Sequence, residues 1–311
     1  MIVTVTLNPA VDEGYLLPEF HPGGWFRSDR RVERTPGGRG INVSMTLQQL
    51  GYENAAMGFL AGFNGEYVRD ALRRAHITTN FVHVSGETRT NVYIVDEIGH
   101  IETGLAELGP YIPEEALARF FSNYERMLHR CSMVCLGGSL PPGVPQDIYR
   151  DLVNRAKDRN IATFVDAEGP ALMAVLEAVP TVVKVDHRYM SRVAGIATTS
   201  LDKVIEIVSR VHEKGVDYAL TSYRTYGYVF HTPQGVFLEE MDRKGVVSLF
   251  GSSEALMAGL VVARAERMPV DETLRFAMAC AQEDSFHVEK GVRGRREVEA
   301  IMDQVHLEKL A

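Results

Sequence analysis

The 311-residue sequence has only three cysteines (Cys131, Cys135 and Cys280), and no two of them have the C-x-x-C spacing of a zinc or redox motif. This excludes a disulfide framework, and free thiols in a reducing cytoplasm are expected. No apolar run approaches the roughly 18 residues that a membrane helix needs. The first residues also lack the basic region and apolar stretch of a secretory signal. We therefore expect a cytoplasmic protein.

The chain also lacks an excess of positive charge. It has 33 Lys and Arg against 41 Asp and Glu, a formal net charge of −8. Nucleic acids and anionic membrane surfaces are therefore not expected partners. An anionic substrate would need a local group of cationic side chains. The hydrophobic content of 45% and the charged content of 24% are those of an ordinary globular protein.

The sequence does contain a regular alternation of short apolar runs and amphipathic helical patterns. Runs such as Ile2 to Leu7 and "SMVCLGG" (132–138) have the length and composition of buried strands. Patterns such as "PQDIYRDLVNRAKDRN" (145–160) have helical spacing. This alternation predicts an α/β protein with a mainly parallel sheet and helices on both faces. No linker divides the chain, so we expect a single domain over residues 1–311.

Two stretches interrupt this alternation, at about 13–35 and about 81–105. The first has strand-like pieces and turn residues but no helical pattern. The second alternates like a hairpin, with Gly99 at the turn. We predict that the two stretches together form a small accessory sheet that projects from the main body.

Residues suited to ligand binding follow several of the predicted strands, and ligands of open parallel sheets bind at the carboxyl ends of the strands. Glycines let the backbone approach a ligand, and an asparagine can hydrogen-bond sugar hydroxyls. Asp166 is equally suited to cap a strand end, and both interpretations are left open. The residues suited to ligand binding that follow the predicted strands are Asn8, Asp12, the turn Gly37-Gly38-Arg39-Gly40 with Asn42, Ser139 in "LGGSLPPG", and Asp166 in "VDAEG".

The stretch "FGSSEALMAG" (250–259) predicts a tight turn that leads into a helix. Ser252 and Ser253 are good residues for a helix start, and backbone N–H groups at such a start attract an anion. Glu254 nevertheless places a carboxylate there. Judged by these residues alone, Glu254 is a working base beside a phosphate, a simple helix cap, or a remnant of a lost site.

Five segments, in this order and spacing, resemble the ribokinase-like (PfkB) family of carbohydrate kinases. They are "TLNPAVD" (6–12), "PGGRGINVS" (36–44), "ETRTNVYI" (87–94), "GGSLPPGV" (137–144) and "FVDAEGPAL" (164–172). The resemblance covers nearly the whole chain and is greatest to the phosphosugar branch. It implies a three-layer α/β/α ribokinase-like fold, in which the accessory sheet is a lid that closes over the sugar. In this family the lid often pairs with that of a second subunit, so a homodimer is expected.

The resemblance implies a sugar site at the matching positions. Those implied to hold or surround the hydroxyls are Asp12, Gly37, Gly38, Gly40, Asn42 and Ser139. Arg89 would grip the sugar's existing phosphate, as a bidentate guanidinium is suited to do. Arg39 is counted with this site, but it stands where the branch usually has lysine, so its contact is left open.

The resemblance also implies that Gly251, Ser252, Ser253 and Glu254 form the catalytic loop, where the family usually has Gly-Ala-Gly-Asp. Glu254 would then accept the proton of the attacking hydroxyl, and the preceding N–H groups would stabilise the transferred phosphoryl group. Glutamate is one methylene longer than aspartate, and Ser253 replaces a glycine. We therefore expect the loop to be shifted from the family's geometry.

The implied nucleotide side departs further from the family. Its residues are Lys184, Asp186, Thr221, Ser222 and Gly227. Asp186 stands in place of an asparagine, and Tyr189 in place of a glutamate that helps to order Mg²⁺. Asp186 can still act on Mg²⁺ through water, and no direct protein ligand is expected. Tyr223 replaces the first glycine of the nucleotide turn, and together with Tyr226 it either stacks on an adenine or blocks it.

Two functions follow from this resemblance. The first is an ATP-dependent phosphosugar kinase, with Mg²⁺ and with ATP as co-substrate, that acts on fructose 1-phosphate, fructose 6-phosphate or tagatose 6-phosphate. The second is a catalytically weak or inactive phosphosugar-binding homologue. The retained carboxylate at Glu254 favours the first, and the three altered nucleotide-side motifs favour the second.

Overall fold

The computed structural model describes residues 1–28, 33–99, 101–186 and 200–310. Within these ranges the strands, in chain order, are β1 (Ile2–Thr6), β2 (Ala10–Leu17), β3 (Glu33–Gly37), β4 (Asn54–Ala61), β5 (Thr78–Val84), β6 (Arg89–Asp96), β7 (Ile101–Ala106), β8 (Met133–Gly137), β9 (Ala162–Asp166), β10 (Val182–Lys184), β11 (Tyr218–Tyr223), β12 (Gly227–Thr232), β13 (Gly235–Glu240) and β14 (His306–Lys309).

Ten of these strands form one sheet, in the order β14-β13-β12-β11-β10-β9-β8-β1-β4-β5. From β11 to β5 all neighbours are parallel. Strands β12, β13 and β14 are antiparallel to their neighbours. Central strands such as β1 are buried along their whole length because helices cover both faces of the sheet. The prediction of an α/β fold with a mainly parallel sheet is confirmed.

The described helices are α1 (Arg39–Gln49), α2 (Gly62–Arg74), α3 (Glu114–Leu128), α4 (Ile148–Lys157), α5 (Gly169–Ala178), α6 (Leu201–His212), α7 (Ser252–Glu266), α8 (Val270–Asp284) and α9 (Arg295–Glu299). Helices α3 to α6 share one apolar core with one face of the sheet. Helices α1, α2, α7 and α8 pack on the opposite face. The molecule therefore has three layers, with the sheet in the middle.

Helix α7 is the most deeply buried helix of the site region. It is apolar on nearly every side because it packs against both α1 and α8. Its first residue, Ser252, lies at the carboxyl-end edge of the sheet, and α1 begins at the same edge with Arg39. Burial of the whole helix fixes the direction in which its N-terminus points. The N-termini of α1 and α7 thus face the loops that follow the parallel strands.

A second sheet of four strands, in the order β3-β2-β6-β7, covers this edge, and we call it the lid. Because side chains alternate along a strand, Asp12, Asn91 and Tyr93 lie on the side that faces the main sheet. The opposite side carries Val92 and Ile94, which neighbour the exposed Leu105 and Ile101 of β7.

The lid differs in extent from the sequence-based expectation. Residues 81–84, assigned to the accessory sheet, belong to β5 and pair in parallel with β4 in the main sheet. Strand β5 follows α2 and completes a strand–helix–strand unit, and it lies at the end of the strand order next to β4. The lid strands of this region are β6 and β7, and the first lid strand begins at Ala10, earlier than expected.

Over the described ranges, each helix is too short or too polar to cross a lipid bilayer. Cys131, Cys135 and Cys280 are free thiols, and the last two are buried in the core.

Candidate active site

The loops after the parallel strands, the N-termini of α1 and α7, and the inner side of the lid enclose a cavity of about 400 Å³. This volume suits a small metabolite. The residues predicted from the sequence that line it are Gly38, Arg39, Asn42, Arg89, Ser139, Gly251 and Glu254. Parts of the chain that are far apart in sequence therefore meet at one place.

Asp12 is buried beside this cavity and is held from two sides. The Asn91 side chain donates a hydrogen bond of 2.7 Å to one carboxylate oxygen, and Lys290 forms an ion pair with the other. Gly37 is required here, since a Cβ atom at this position would lie 2.2 Å from the Asp12 carboxyl group. The glycine turn therefore makes room for the carboxylate, and Asp12 keeps further lone pairs for a ligand.

Two asparagines supply buried acceptors at the cavity wall. The side-chain oxygens of Asn42 and Asn91 are buried and accept no hydrogen bond from the part of the chain that the structure describes. Buried polar atoms are rarely left unpaired in native proteins, so such atoms indicate a ligand or bound water. Both residues line the cavity. They are suited to accept hydrogen bonds from hydroxyl groups.

Arg89 lies at the first position of β6, with its guanidinium group anchored to the backbone. Its Nε and one terminal nitrogen donate to the Asn8 carbonyl oxygen at 3.2 and 3.1 Å. The other terminal nitrogen donates to the Glu107 carbonyl oxygen at 3.2 Å. Asn8 in turn donates to Ser139 Oγ at 3.2 Å. Burial lowers the pKa of Arg89, but an arginine stays charged, so the group is a preordered cation at the cavity wall.

Arg39, whose contact the sequence left open, binds carboxylates of the protein itself. Its guanidinium group donates to Asp166 at 2.9 Å and to Glu168 at 2.7 Å. The Asp166 charge is the main cause of its raised pKa. Asp166 is also bound by Lys184 at 3.2 Å. Burial disfavours an ionised Asp166, but Arg39 and Lys184 outweigh it and lower the pKa of the carboxyl group.

Glu254 lies in the first turn of α7 with its side chain only 12% exposed, 4.0 Å from Arg39 Nε. Burial, and after it the charge of Asp166, raises the pKa of Glu254. Arg39, Lys184 and Lys290 act in the opposite direction and limit this rise. A carboxylate that binds a proton more readily than usual, at a cavity wall, has the properties of a general base.

The turn before Glu254 offers fewer amide donors than its sequence implies. Gly251 adopts a φ of +111°, a conformation that favours glycine, and it lines the cavity. The Ser252 N–H donates to the Leu249 carbonyl oxygen at 3.2 Å, and Ser252 Oγ binds Asp284 at 3.1 Å. Ser252 therefore holds the loop in place, and neither Ser252 nor Ser253 belongs to the cavity wall.

The lid is in direct contact with this turn. The Leu249 N–H donates to Glu102 of β7 at 2.7 Å. The rings of Tyr93 and Phe250 lie 4.2 Å apart, with Gly104 next to them. The lid and the loop before Glu254 therefore close the cavity together, which limits access of water to the reacting groups.

The residues implied to bind a nucleotide lie together at the ends of β10 and β11 and at the start of β12, outside the cavity wall. Lys184 is turned towards Asp166, and Thr221 Oγ1 donates to the Val185 carbonyl oxygen at 2.8 Å. Gly227 pairs with Tyr223 across the β11–β12 hairpin, Ser222 is the next-to-last residue of β11, and Asp186 lies two residues after the end of β10. Tyr189 lies outside the described residues.

The two tyrosines of the nucleotide turn are each covered by an arginine. The Arg224 guanidinium lies 5.0 Å from the Tyr223 ring centre, and the Arg243 guanidinium lies 5.2 Å from that of Tyr226. As for metals, residues 1–28, 33–99, 101–186 and 200–310 contain no group of three or more His, Cys, Asp or Glu side chains that could hold an ion.

Sequence reasoning did not find several residues of the site. Lys290, Tyr93 and Glu168 line the cavity, and Asp284 holds its loop. Tyr93 and Glu168 lie within two of the segments that resemble the family, and this position could have indicated that they belong to the site. Lys290 and Asp284 lie in "EDSFHVEKG" (283–291), which has no recognisable motif.

Asp284 connects the two chain segments at the N-terminus of α7. It binds Ser252 Oγ with one oxygen and accepts from the Gly291 N–H at 2.6 Å with the other. Burial raises its pKa to about 8. An unfolded aspartate loses its proton at about pH 4, so the folded state holds the extra proton between about pH 4 and pH 8. The stabilisation by this proton is present below that window and is lost as the pH rises through it.

Asp284→Asn is therefore expected to flatten the fall in unfolding free energy between about pH 5 and pH 8. Its amide oxygen can accept from the Gly291 N–H and its NH₂ group can donate to Ser252 Oγ, and neither group titrates. Asp284→Ala should lower the unfolding free energy by about 1–3 kcal/mol, because it leaves buried groups unpaired. Urea unfolding across this pH range measures both. An Asn variant with the same pH slope as the parent protein would show that Asp284 does not titrate as described.

The fold and the cavity can now be compared with known proteins. The sequence pattern of the pfkB family carbohydrate kinases matches residues 26–284. The chain is 31% identical over 291 residues to the 1-phosphofructokinase of Bacillus subtilis (strain 168), a match that covers 94% of each chain. The three-layer fold, with a β lid over a charged cavity, therefore belongs to a chain that is similar to carbohydrate kinases.

Solved structures agree with this assignment. A protein described as a possible 1-phosphofructokinase from Thermotoga maritima has a TM-score of 0.91 at 30% identity, over 100% of both chains. Phosphofructokinase-2 from Escherichia coli, in complex with fructose-6-phosphate, has a TM-score of 0.84 at 21% identity, over 97% of this chain and 98% of that one. At that identity the second match shows the fold alone. The chain belongs to the pfkB family of carbohydrate kinases, and its relatives are of the phosphofructokinase type.

Proposed function

We propose that this protein is an ATP-dependent phosphosugar kinase that transfers the γ-phosphoryl group to the free primary hydroxyl of a ketose phosphate. The candidate substrates are fructose 1-phosphate, fructose 6-phosphate and tagatose 6-phosphate. The proposal is carried by one observation: Glu254, a carboxylate with a raised pKa, lines the same cavity as Arg89, a preordered cation. The names of the relatives in Bacillus subtilis and Thermotoga maritima favour fructose 1-phosphate.

In the proposed reaction the cavity first fixes the sugar. Arg89 binds the existing phosphate through charge-assisted hydrogen bonds. Asp12 and the unpaired side-chain oxygens of Asn42 and Asn91 accept from the hydroxyls. These contacts place the free primary hydroxyl next to Glu254. Positioning supplies much of the rate of phosphoryl transfer, since the protein has little covalent chemistry to perform.

Glu254 then accepts the proton of that hydroxyl as its oxygen bonds to the γ-phosphorus of ATP. The bond between this phosphorus and the β,γ-bridging oxygen breaks, and its electron pair leaves with ADP. The Gly251 N–H offsets part of the charge of the transferred group. The contacts of the lid with Leu249 and Phe250 exclude water, so that the hydroxyl of the sugar is the acceptor.

ATP and Mg²⁺ enter this proposal as co-substrate and its counter-ion. We place the nucleotide at Lys184, Asp186, Thr221, Ser222 and Gly227, beside the catalytic turn. Mg²⁺ bound to the phosphates would neutralise part of their charge, with Asp186 contacting its water shell. A cytoplasmic location fits the free thiols and belongs to the same proposal.

A coupled assay of ADP formation tests the proposal directly. The parent protein, ATP–Mg²⁺ and each of the three ketose phosphates are combined, with unphosphorylated fructose as the control for phosphate recognition. ADP formation that depends on one ketose phosphate, with a bisphosphate as product, is the expected result. Absence of ADP formation with all three would refute the kinase.

A second candidate function is a catalytically silent phosphosugar binder. Two groups that could contact a nucleotide phosphate are instead bound to the protein itself, which favours this function. Lys184 forms an ion pair with Asp166, and the Ser252 N–H donates to the Leu249 carbonyl oxygen. A thermal-shift experiment separates the two functions. The silent binder predicts that a ketose phosphate raises the melting temperature while ATP–Mg²⁺ does not. Saturable stabilisation by ATP–Mg²⁺ would contradict it and support the kinase.

The outer side of the lid supports a homodimer as the working assembly. It carries Ile101 and Leu105, both more than half exposed, beside Val92 and Ile94 of the neighbouring strand. Trp25, between the first two lid strands, is 91% exposed and does not pack on the main body. An exposed apolar sheet face of this kind is typical of a surface that another subunit covers.

Ile101→Lys is therefore expected to convert a dimer of the parent protein to a monomer in sedimentation analysis, because it places a charge in the buried interface. Glu115→Lys, on the exposed side of α3, is the control for added positive charge and should stay dimeric. A monomeric parent protein, or an Ile101→Lys variant that still dimerises, would contradict a lid interface.

A further inference from the structure

Lys290 is a charged side chain of the cavity to which the proposed reaction has so far given no part. It lies in the segment between α8 and α9, and Asp284 ties this segment to the catalytic turn through Ser252 and Gly291. The aliphatic part of Lys290 lies next to Gly251, since its Cγ is 3.2 Å from a Cβ built on that glycine. The side chain is only 9% exposed. Its position is therefore fixed relative to the N-terminus of α7.

The ammonium group of Lys290 lies against the inner side of the lid, and the residue lines the same cavity as Glu254 and Gly251. It forms an ion pair with Asp12 and lies 4.2 Å from the centre of the Tyr93 ring. Burial disfavours the charge of Lys290, but Asp12, Tyr93 and Glu254 together outweigh burial and raise its pKa, so the side chain is a cation. An ammonium group has three N–H donors. Asp12 takes one and the Tyr93 hydroxyl takes another, so one donor remains for an anion that enters between Glu254 and the lid.

The other cations of this region are committed elsewhere. Arg39 binds Asp166 and Glu168, and Lys184 also binds Asp166. Arg89 is anchored to backbone carbonyl groups at the side of the cavity assigned to the existing phosphate. At the catalytic turn, the Ser252 N–H is occupied by Leu249. The phosphoryl group that arrives beside Glu254 therefore needs positive charge from another source.

We propose that Lys290 is a catalytic residue of this kinase, whose ammonium group binds the phosphoryl group during its transfer from the nucleoside triphosphate to the sugar. This inference rests on the proposed function. The step is the one already described: the sugar oxygen bonds to phosphorus, Glu254 takes the proton, and the nucleotide oxygen leaves with the electron pair of the broken bond. Lys290 adds no bond and removes none. It stabilises the negative oxygens of the transferred group, and then those of the new phosphate in the bisphosphate product.

The competing interpretation is that Lys290 only neutralises and orients Asp12. In that case loss of the lysine weakens every sugar phosphate alike, because Asp12 contacts hydroxyls that all of them share. A phosphoryl-group ligand instead distinguishes a ketose bisphosphate from a monophosphate. The comparison of these two ligands therefore separates a catalytic role from a positioning role, and it needs no turnover.

The test measures the Kd of fructose 1-phosphate and of fructose 1,6-bisphosphate by titration calorimetry. The proteins are the parent, Lys290→Gln and Lys290→Arg, with Lys203→Gln, an exposed lysine of α6, as the matched control. Glutamine removes the charge and keeps an N–H donor on a side chain one bond shorter, and the melting temperature of each variant verifies that it is folded. In Lys290→Gln we expect bisphosphate binding to weaken about 30-fold and monophosphate binding less than about threefold. Lys290→Arg should restore most of the difference, since the charge is kept.

Each outcome decides the proposal. Selective weakening of the bisphosphate, with rescue by arginine, supports it; equal weakening of both ligands, or no weakening, overturns it. If Lys290→Gln weakens the bisphosphate selectively but the parent protein forms no ADP with any ketose phosphate, the proposed kinase activity is refuted. Lys290 is then still supported as a ligand of the second phosphate. If the parent protein binds neither sugar, both fail.

Discussion

Glu254→Gln is expected to lower kcat by about 10²–10⁴-fold, the range typical of the loss of a general base. The amide is the same size as the carboxylate and keeps its place beside Arg39, but it cannot accept the proton of the sugar hydroxyl. The proposal assigns binding of the ketose phosphate to Arg89 and the asparagines, so the KM for this substrate should change little. Steady-state kinetics with the best of the three ketose phosphates measures both constants.

The matched control for this prediction is Glu266→Gln, at the opposite end of the same helix. Glu266 pairs with Arg295 on the surface, far from the cavity, and its replacement should leave kcat within about twofold, as is usual for surface substitutions. Glu254→Asp retains a carboxylate and should keep more activity than Glu254→Gln. A Glu254→Gln variant as active as the parent protein would show that Glu254 is not the general base.

Arg89→Met is expected to raise the KM for the ketose phosphate by roughly 30-fold to 100-fold, which corresponds to the loss of charge-assisted hydrogen bonds to a phosphate. The KM for ATP should be nearly unchanged, because Arg89 lies on the lid side of the cavity, away from the ends of β10 and β11. The structural reason is preorganisation. Contacts of the guanidinium group with the Asn8 and Glu107 carbonyl oxygens hold it in place before a substrate arrives.

Unphosphorylated fructose is the internal control for Arg89→Met. Loss of the backbone contacts could disturb the cavity as a whole, and that effect would fall on fructose and on its phosphate alike. Loss of phosphate recognition instead reduces the preference for the phosphate over the free sugar. If the preference is the same in the variant and the parent protein, Arg89 serves the fold and not the substrate.

The sequence predicted the architecture because its signals are local. Buried parallel strands are short apolar runs, and surface helices have a 3.6-residue period, so their alternation could be seen without coordinates. Strand β5 shows where local signals end. Its mixture of polar and apolar residues, "TTNFVHV", fits an edge strand of the main sheet as well as a lid strand, and only its pairing with β4 decides between them.

The meeting of four candidate residues was also predictable, since each lies in a segment that the sequence singled out. Asp12, Asn42, Arg89 and Glu254 do meet at one cavity or its border. The contacts of Arg39 and Lys184 were not predictable. Both cations bind Asp166, which is 127 residues from Arg39 in the sequence. The residues around Arg39 and Lys184 contain no pattern that indicates this carboxylate as their partner.

Lys290 is the clearest case of a residue that only the fold reveals. Its partner Asp12 is 278 positions earlier in the chain, on the lid, and "VEKGV" (288–292) carries no motif. The pairing exists because α8 returns the chain to the N-terminus of α7, where Asp284 fixes the segment. Charge pairs of this kind depend on how separate elements pack together, which single-sequence patterns do not report.

The pH dependence of kcat tests most directly whether Glu254 is the base. A base must be unprotonated to act, and the raised pKa of Glu254 means that it keeps its proton to a higher pH than an ordinary glutamate. The account predicts that the kcat of the parent protein falls as the pH drops through a value clearly above about 4.3, the ordinary glutamate value. The residual kcat of Glu254→Gln should not show this fall. The same acid limb in both proteins would contradict the account.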